Sequence, residues 1–286
     1  MMSGGLVSIR EALSSLKPTE QKVAKYILEH PEQVVNVSVQ RLAELAQVSE
    51  ATIVRLARSL HLKGFQELKL RIAADLATKP KHAESSYQEI RIDGSIDSLI
   101  DSISHNNMQS IQDTMTVLSS ADAARAIEAL SQARKIGVFG VGASAVIAED
   151  FKQKLTRINR WCETAFDFNS AATLAANMTE EDVAFGVSYS GQTEDIIQSL
   201  QIAKENGARI VTLTKFGNNP VAETADIRLF TSSLENSIRS GAMASRIAQL
   251  NVIDILYIGI ASQNYEQSVQ SLERTRKAVS WAKRNG

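Results

Sequence analysis

The stretch Val183–Asp195, VAFGVSYSGQTED, constrains the fold more than any other part of this 286-residue chain. Val183, Ala184, Phe185 and Val187 form a short apolar run that suits a buried strand. It stops at a cluster of small polar residues, Ser188 to Thr193, and an amphipathic run from Glu194 to Asn206 begins at once. The pattern is strand, tight turn, helix. The first turn of such a helix leaves backbone N–H groups without intrahelical partners and carries the positive end of the macrodipole. Hydroxyls at Ser188, Ser190 and Thr193 would complete an anion cradle there, and Gly191 would let the backbone approach a ligand closely. Phosphate is the expected guest, because several neutral donors converge and the loop supplies no fixed cation. The plainer reading is that Thr193 caps a helix beginning at Glu194 and the serines are ordinary turn residues.

Strands and helices alternate through the rest of this region, which predicts a doubly wound parallel sheet covered on both faces. Strands are expected over Arg134–Phe139, Arg160–Ala165, Val183–Val187, Arg209–Thr214 and Ile227–Phe230, with a helix over Ala145–Ile158. Helical patterns precede them over Ile96–Met115 and Ala121–Gln132. Long helices follow, from about Glu235 to Ala261 and from Tyr265 to Lys283.

The first strand ends in its own small-residue turn, Gly140, Val141, Gly142, Ala143, Ser144, Ala145. This fits the G-x-G-x-x-A dinucleotide fingerprint, and Glu163, 23 residues after Gly140, stands near where a ribose-binding acid is expected. A nicotinamide site has no need of three hydroxyls at the end of another strand. Two hydroxyl-rich turns, with Ser144 in the first, match one compact phosphorylated ligand better.

Residues 1–80 carry eleven Lys or Arg against eight Asp or Glu, a net +3, while the remainder carries twenty against twenty-four, a net −4. Such an imbalance is weak evidence for a nucleic-acid-facing module, so periodicity has to decide. From Ile9 to Leu76 it is helical throughout. Pro18 opens a helix with Val23, Ile27 and Leu28 on one face, and His30–Pro31 closes it. Ser38 caps a short helix carrying Leu42 and Ala43; Ser49 caps a second with Ile53, Leu56, Ala57 and Leu60 inward. Two short helices joined by a tight turn form a helix-turn-helix, whose second helix offers its N-terminal side chains to the major groove. Ser49, Glu50, Thr52, Arg55, Arg58 and Ser59 are then expected to face outward. Arg55 suits a bidentate guanine contact and Thr52 a thymine methyl or phosphate; Arg41, Arg58, Lys63 and Lys69 suit phosphates. A bundle with a merely solvated charged face is the alternative.

Lys17–Leu70, with KPTEQKVAKYILEHP, SVQRLAELAQVSEATIVRLARSL and KGFQELKL, resembles the N-terminal domain of the RpiR family of bacterial transcription regulators. Two positions depart from that pattern. Gln47 stands where glycine is common in the turn, at a cost on the order of 1 kcal/mol if its backbone is left-handed, and His61–Leu62 replaces a glycine and an aromatic. The region from about Ile96 to Ser262, with GVGAS, SYSGQT and LENSIRSGAMASRIAQLNVIDIL, resembles the sugar isomerase, or SIS, domain. That resemblance implies a phosphosugar held by Ser144, Ser188, Ser190 and Thr193, with backbone from Gly191 and Gln192.

The expected organisation is a helix-turn-helix domain over 1–78, a linker over 79–95 and an SIS domain over 96–286. The expected function is transcriptional regulation of sugar metabolism, in which a phosphosugar modulates operator binding by a homodimer or higher homo-oligomer. A phosphosugar isomerase or lyase with a helical appendage, and a dinucleotide-sensing regulator, are the alternatives. Catalysis is disfavoured because His30, His61, His82 and His105 all precede the first strand, leaving Glu149, Glu163 and Glu194 as candidate bases. No cofactor and no metal is expected, since no His, Cys and carboxylate cluster has ligand spacing. A lone cysteine, Cys162, and no signal segment point to the cytoplasm. No membrane association is expected, because the apolar run Val252–Ala261 is too short to span a bilayer.

Overall fold

The computed structural model describes residues 4–78, 94–233 and 242–285. The chain packs into two compact units: the described residues of 1–117, 215–219 and 231–244, and those of 118–214, 220–230 and 245–286. The linker expected at 79–95 and the part of the long helix expected at 235–241 fall largely outside the described residues.

The first unit is helical. It comprises α1 (Gly5–Ala12) with a 3₁₀ turn at Leu13–Ser15, α2 (Pro18–Glu29), α3 (Pro31–Val34), α4 (Val39–Leu45), α5 (Glu50–Ser59), α6 (Phe65–Thr78) and α7 (Ile96–Val117). Pro18 and Pro31 each occupy the first turn of a helix, where a missing N–H costs nothing. Ile9, Val23, Ala24, Ile27, Leu42, Ile53, Leu56, Leu68 and Ile72 are fully buried and recur at helical spacing, so each helix turns one stripe inward. α1 packs on α6 and on α7, and α2 and α4 pack on α5. By packing, α7 belongs with the N-terminal helices although it follows the boundary at 96 that the sequence suggested.

The second unit is α/β. After α8 (Ser120–Gln132) come β1 (Ile136–Gly140), α9 (Ala143–Arg157), β2 (Cys162–Ala165), α10 (Phe168–Ala176), β3 (Val183–Ser188) and α11 (Glu194–Glu205). Then follow β4 (Arg209–Lys215), α12 (Pro220–Glu223), β5 (Ile227–Thr231), α13 (Met243–Gln263) and α14 (Tyr265–Asn285). The five strands lie in the order β2-β1-β3-β4-β5, with β1 parallel to both β2 and β3, and β3 parallel to β4.

Alternation along the strands sorts the core onto two faces. Ile136, Val138, Val183, Phe185, Val187, Val211 and Leu213 meet Ala126 and Leu130 of α8, Ile147, Phe151 and Leu155 of α9, and Val252, Ile253 and Leu256 of α13. Phe139, Ala184 and Ile210 meet Ala171 and Ala175 of α10 and Ile196, Leu200 and Ala203 of α11. This is a doubly wound sheet, as the strand–helix alternation predicts. α13 is, over its 21 residues, apolar enough in length and composition to cross a membrane, yet its Val252, Ile253, Leu256 and Ile260 are core residues of this unit.

Candidate functional site

The strand order sets where a ligand can sit. In an order 2-1-3-4-5 the crossovers leave β1 and β3 in opposite directions, and the crevice at their carboxyl ends is the natural binding place. The two small-residue loops named from sequence are those that leave β1 and β3. Gly140 and Val187 are register partners at the ends of these strands, so the loops start side by side.

After β1 the chain turns through Val141 and Gly142, whose φ of 60° and ψ of −125° suit glycine alone. A Cβ on Gly140 would stand 2.7 Å from the Ser144 carbonyl oxygen, so only glycine lets the first turn of α9 fold back so tightly. Ser144 lies in that turn, 8% exposed, its N–H donating to the Val141 carbonyl at 3.2 Å. After β3, the buried Ser188 hydroxyl lies 2.9 Å from the Thr193 hydroxyl across the mouth of the loop. Thr193 is the N-cap residue of α11, yet its side chain caps no backbone N–H. The plainer reading of Thr193 thus gives the right position but not the bond. Gly191, at φ 67°, closes the turn by donating to the Ser188 carbonyl at 3.2 Å. The Gln192 N–H donates to the Ser190 hydroxyl at 3.2 Å, and both side chains are exposed.

The dinucleotide alternative loses its acid. Glu163 pairs in register with Gly137 near the start of β1, three residues before the turn, and accepts a bond from the Trp161 indole at 3.0 Å. A ribose-binding acid belongs at the carboxyl end of β2. Of the other candidate bases, Glu149 accepts from the Thr164 hydroxyl at 3.1 Å and Glu194 from the Gln198 amide at 2.9 Å. Burial pushes the Cys162 thiol up to about 12, against Lys152, so the thiol stays protonated and unreactive. Among the described residues no group of three or more His, Cys, Asp or Glu could hold a metal.

In the helical unit, Ser38 caps α4 by accepting from the Arg41 N–H at 3.2 Å. The turn after α4 passes through Gln47 at φ 54°, the left-handed backbone suspected from sequence, and His61 after α5 adopts φ 59°. Ser49, Glu50, Arg55, Arg58, Lys63 and Arg41 are exposed as expected. Arg41 pairs with Glu44 at 2.6 Å, an exposed contact that water and salt weaken. The Glu67 carboxylate accepts from the Lys63 backbone N–H at 3.0 Å, a bond that holds Glu67 below the ordinary carboxylate range.

Two sequence expectations need correction, and a third residue has a tie that the sequence does not show. Thr52 is 3% exposed, because it lies four residues before Leu56 and so shares the core-facing side of α5. Its hydroxyl meets that of Ser49 at 3.0 Å and accepts from Arg55 Nη2 at 2.9 Å. Ser49 is the N-cap of α5 but makes no side-chain cap bond, its hydroxyl being directed to Thr52. Lys69, expected to suit a phosphate, donates to the Val37 carbonyl at 2.8 Å, a tie within the unit that the sequence does not reveal.

Residues 3–79 match the model of the helix-turn-helix domain of the rpiR family, and residues 129–259 match that of the SIS domain. An uncharacterized HTH-type transcriptional regulator of Caldanaerobacter subterraneus is 45% identical over 99% of this chain and 100% of its own length. The HTH-type transcriptional regulator HexR of Escherichia coli is 31% identical over 96% of this chain and 93% of its own. Among solved structures, the Vibrio vulnificus NanR protein complexed with ManNAc-6P superposes with a TM-score of 0.60 at 28% identity, over 96% of this chain and 98% of that one. A helix-turn-helix in one compact unit, a doubly wound sheet in the other and relatives matched from end to end leave one assignment: the chain belongs to the rpiR family of HTH-type transcriptional regulators.

Proposed function

We propose that this regulator reads operator DNA with α5 and responds to a phosphosugar held by the loops after β1 and β3. Ser144, Ser188, Ser190 and Thr193 supply hydroxyls to the phosphate, and Gly191 and Gln192 supply backbone. One observation carries the ligand reading: the Ser188 and Thr193 hydroxyls face each other at 2.9 Å at the sheet's switch point, where the first turn of α11 begins. Neither hydroxyl is needed to cap the helix, so both can turn to an anion. The similarity to a NanR protein solved with ManNAc-6P supports the same class of ligand. On the DNA side, Arg55 reads a base while Ser49, Glu50, Arg58, Lys63 and Arg41 line the approach, and Thr52 acts from beneath.

The protein works in the cytoplasm as a homodimer or higher homo-oligomer and catalyses nothing. Regulation requires the phosphosugar to bind the DNA-competent and DNA-incompetent arrangements unequally, since equal affinity shifts nothing. Titration with a panel of phosphosugars, free sugars and dinucleotides, read by thermal shift, tests the ligand. Phosphosugars alone should raise the melting temperature; a rise with dinucleotides alone would refute the reading.

A further inference from the structure

We infer that Thr52 is a positioning residue that fixes Arg55 for base reading and makes Ser49 a donor to the DNA backbone. The inference rests on the reading that α5 faces DNA. Its own basis is the bonding pattern inside α5. Arg55 is exposed, and among the described residues its guanidinium makes one bond, from Nη2 to Thr52 Oγ1 at 2.9 Å. Thr52 itself is 3% exposed, so the anchor is part of the core while the guanidinium is at the surface. Thr52 is β-branched and therefore stiff about χ1, which makes it a fixed point.

The consequence for Arg55 is entropic. A free arginine samples many rotamers and must give them up on docking, whereas one already tied through a single N–H has lost part of that freedom before DNA arrives. The guanidinium has five N–H donors, so one bond to Thr52 leaves the pair that a guanine O6/N7 edge requires.

The consequence for Ser49 concerns direction. Thr52 Oγ1 accepts from a cation, and a hydroxyl polarised in this way is a better donor. Its proton has an acceptor 3.0 Å away in Ser49 Oγ. With Thr52 donating to Ser49, the Ser49 proton is left to a group outside the protein. Ser49 is exposed and is the N-cap of α5, where it contributes no side-chain cap bond. A DNA phosphate oxygen is the acceptor that this end of a helix attracts.

The test uses the full-length protein. A duplex is selected from a random pool, and fluorescence anisotropy then compares wild type, Thr52→Val, Thr52→Ser, Arg55→Ala and the Thr52→Val/Arg55→Ala double variant on the selected and a scrambled duplex across salt. Thr52→Val keeps the shape and removes the hydroxyl. It should weaken binding to the selected duplex about tenfold and, through the Ser49 contact to phosphate that all sequences share, the scrambled duplex only about twofold. Thr52→Ser should restore binding to within about twofold of wild type, and the double variant should bind no more weakly than Arg55→Ala. Should Thr52→Val not fold by circular dichroism, Thr52→Ala carries the same expectations. Thr52→Val binding the selected duplex like wild type would overturn the inference, because the Arg55 bond would then be one that breaks on docking. Losses that multiply in the double variant would overturn it as well. Wild type enriching no sequence from the pool would instead refute the DNA reading itself, a distinct result.

Discussion

The carboxylate of Glu11 in α1 and the ammonium of Lys215 at the end of β4 stand 3.4 Å apart, with the Glu11 side chain entirely excluded from solvent. The Ser232 hydroxyl donates to the same carboxylate at 2.9 Å, and Arg10 lies 3.6 Å from it while also pairing with Asp113 of α7. This buried cluster ties the first helix to the segments that follow β4 and β5 inside one packed unit. Burial pushes the Glu11 carboxyl above its ordinary value, against the pull of Lys215, Arg10 and Ser232.

A pH dependence follows from that direction. With the folded pKa raised, the folded chain holds the Glu11 proton more tightly than the unfolded chain, so this group's contribution is present at low pH and lost as pH rises through the folded pKa. Glu11→Gln mimics the protonated form and removes the titration. Relative to that variant, wild type should gain melting temperature as pH falls from about 8 toward 5. A wild type that gains on Glu11→Gln as pH rises would mean that Lys215 and Arg10 outweigh burial.

The DNA face gives a pair of contrasting variants. Arg55→Ala should cost about 1 to 3 kcal/mol on a specific duplex and little on random duplex, whereas Lys63→Ala should weaken both and reduce the salt slope by about one. Anisotropy titrations across salt distinguish them. Equal loss on both duplexes for Arg55→Ala would make it a backbone contact.

Gln47 supplies a stability test. Its left-handed backbone at φ 54° carries a Cβ penalty that glycine lacks, and its side chain is exposed, so Gln47→Gly removes strain without removing core. The substitution should stabilise the protein by about 0.5 kcal/mol, the strain relief being partly offset by the freer unfolded chain. Urea denaturation showing destabilisation would place an interaction of Gln47 above the strain.

Assembly can be tested on α13, where Ile255 and Ile258 are exposed one turn apart while Val252, Ile253, Leu256 and Ile260 are buried. Apolar side chains of α7, among them Ile96, Ile100, Met108 and Met115, are also exposed. Helix-turn-helix proteins commonly read two half-sites as dimers, and these faces offer area to bury. Sedimentation at micromolar concentration should show at least a dimer for wild type and weaker association for Ile258→Glu. A monomeric wild type would contradict the proposed dimer.

The strands and both loops were legible because apolar runs that end in glycine and hydroxyl clusters leave few alternatives. β1, β3, β4 and β5 each extend one residue beyond the expected carboxyl end, and β1 and β2 start two residues late. α10 was not legible: FNSAATLAA is short and built of small residues, and only Ala171 and Ala175 are buried in it, too faint a stripe to stand out. Its start was signalled by Asp167, which accepts from the Ser170 N–H at 3.0 Å. Thr52 was misjudged although its spacing of four from Leu56 already puts it on the core side of α5, and Ser49 because spacing does not say whether a hydroxyl prefers backbone, side chain or solvent. The Lys69 tie was not legible because its carbonyl partner Val37 is 32 residues away in sequence. The packing of α7 with the N-terminal helices depends on contacts remote in sequence, which no local pattern carries.

The central claim, that hydroxyls at the β1/β3 switch point hold a phosphosugar that controls DNA binding, is tested most directly with the double variant Ser188→Ala/Ser190→Ala. Operator binding is measured with and without the phosphosugar that shifts the wild-type melting temperature. Each lost donor costs about 0.5 to 1.5 kcal/mol, and more against a charged acceptor, so the variant's thermal shift should vanish while its fold survives. It should bind operator as tightly as wild type and ignore the sugar. A variant that still responds to the phosphosugar at wild-type concentrations would contradict the account.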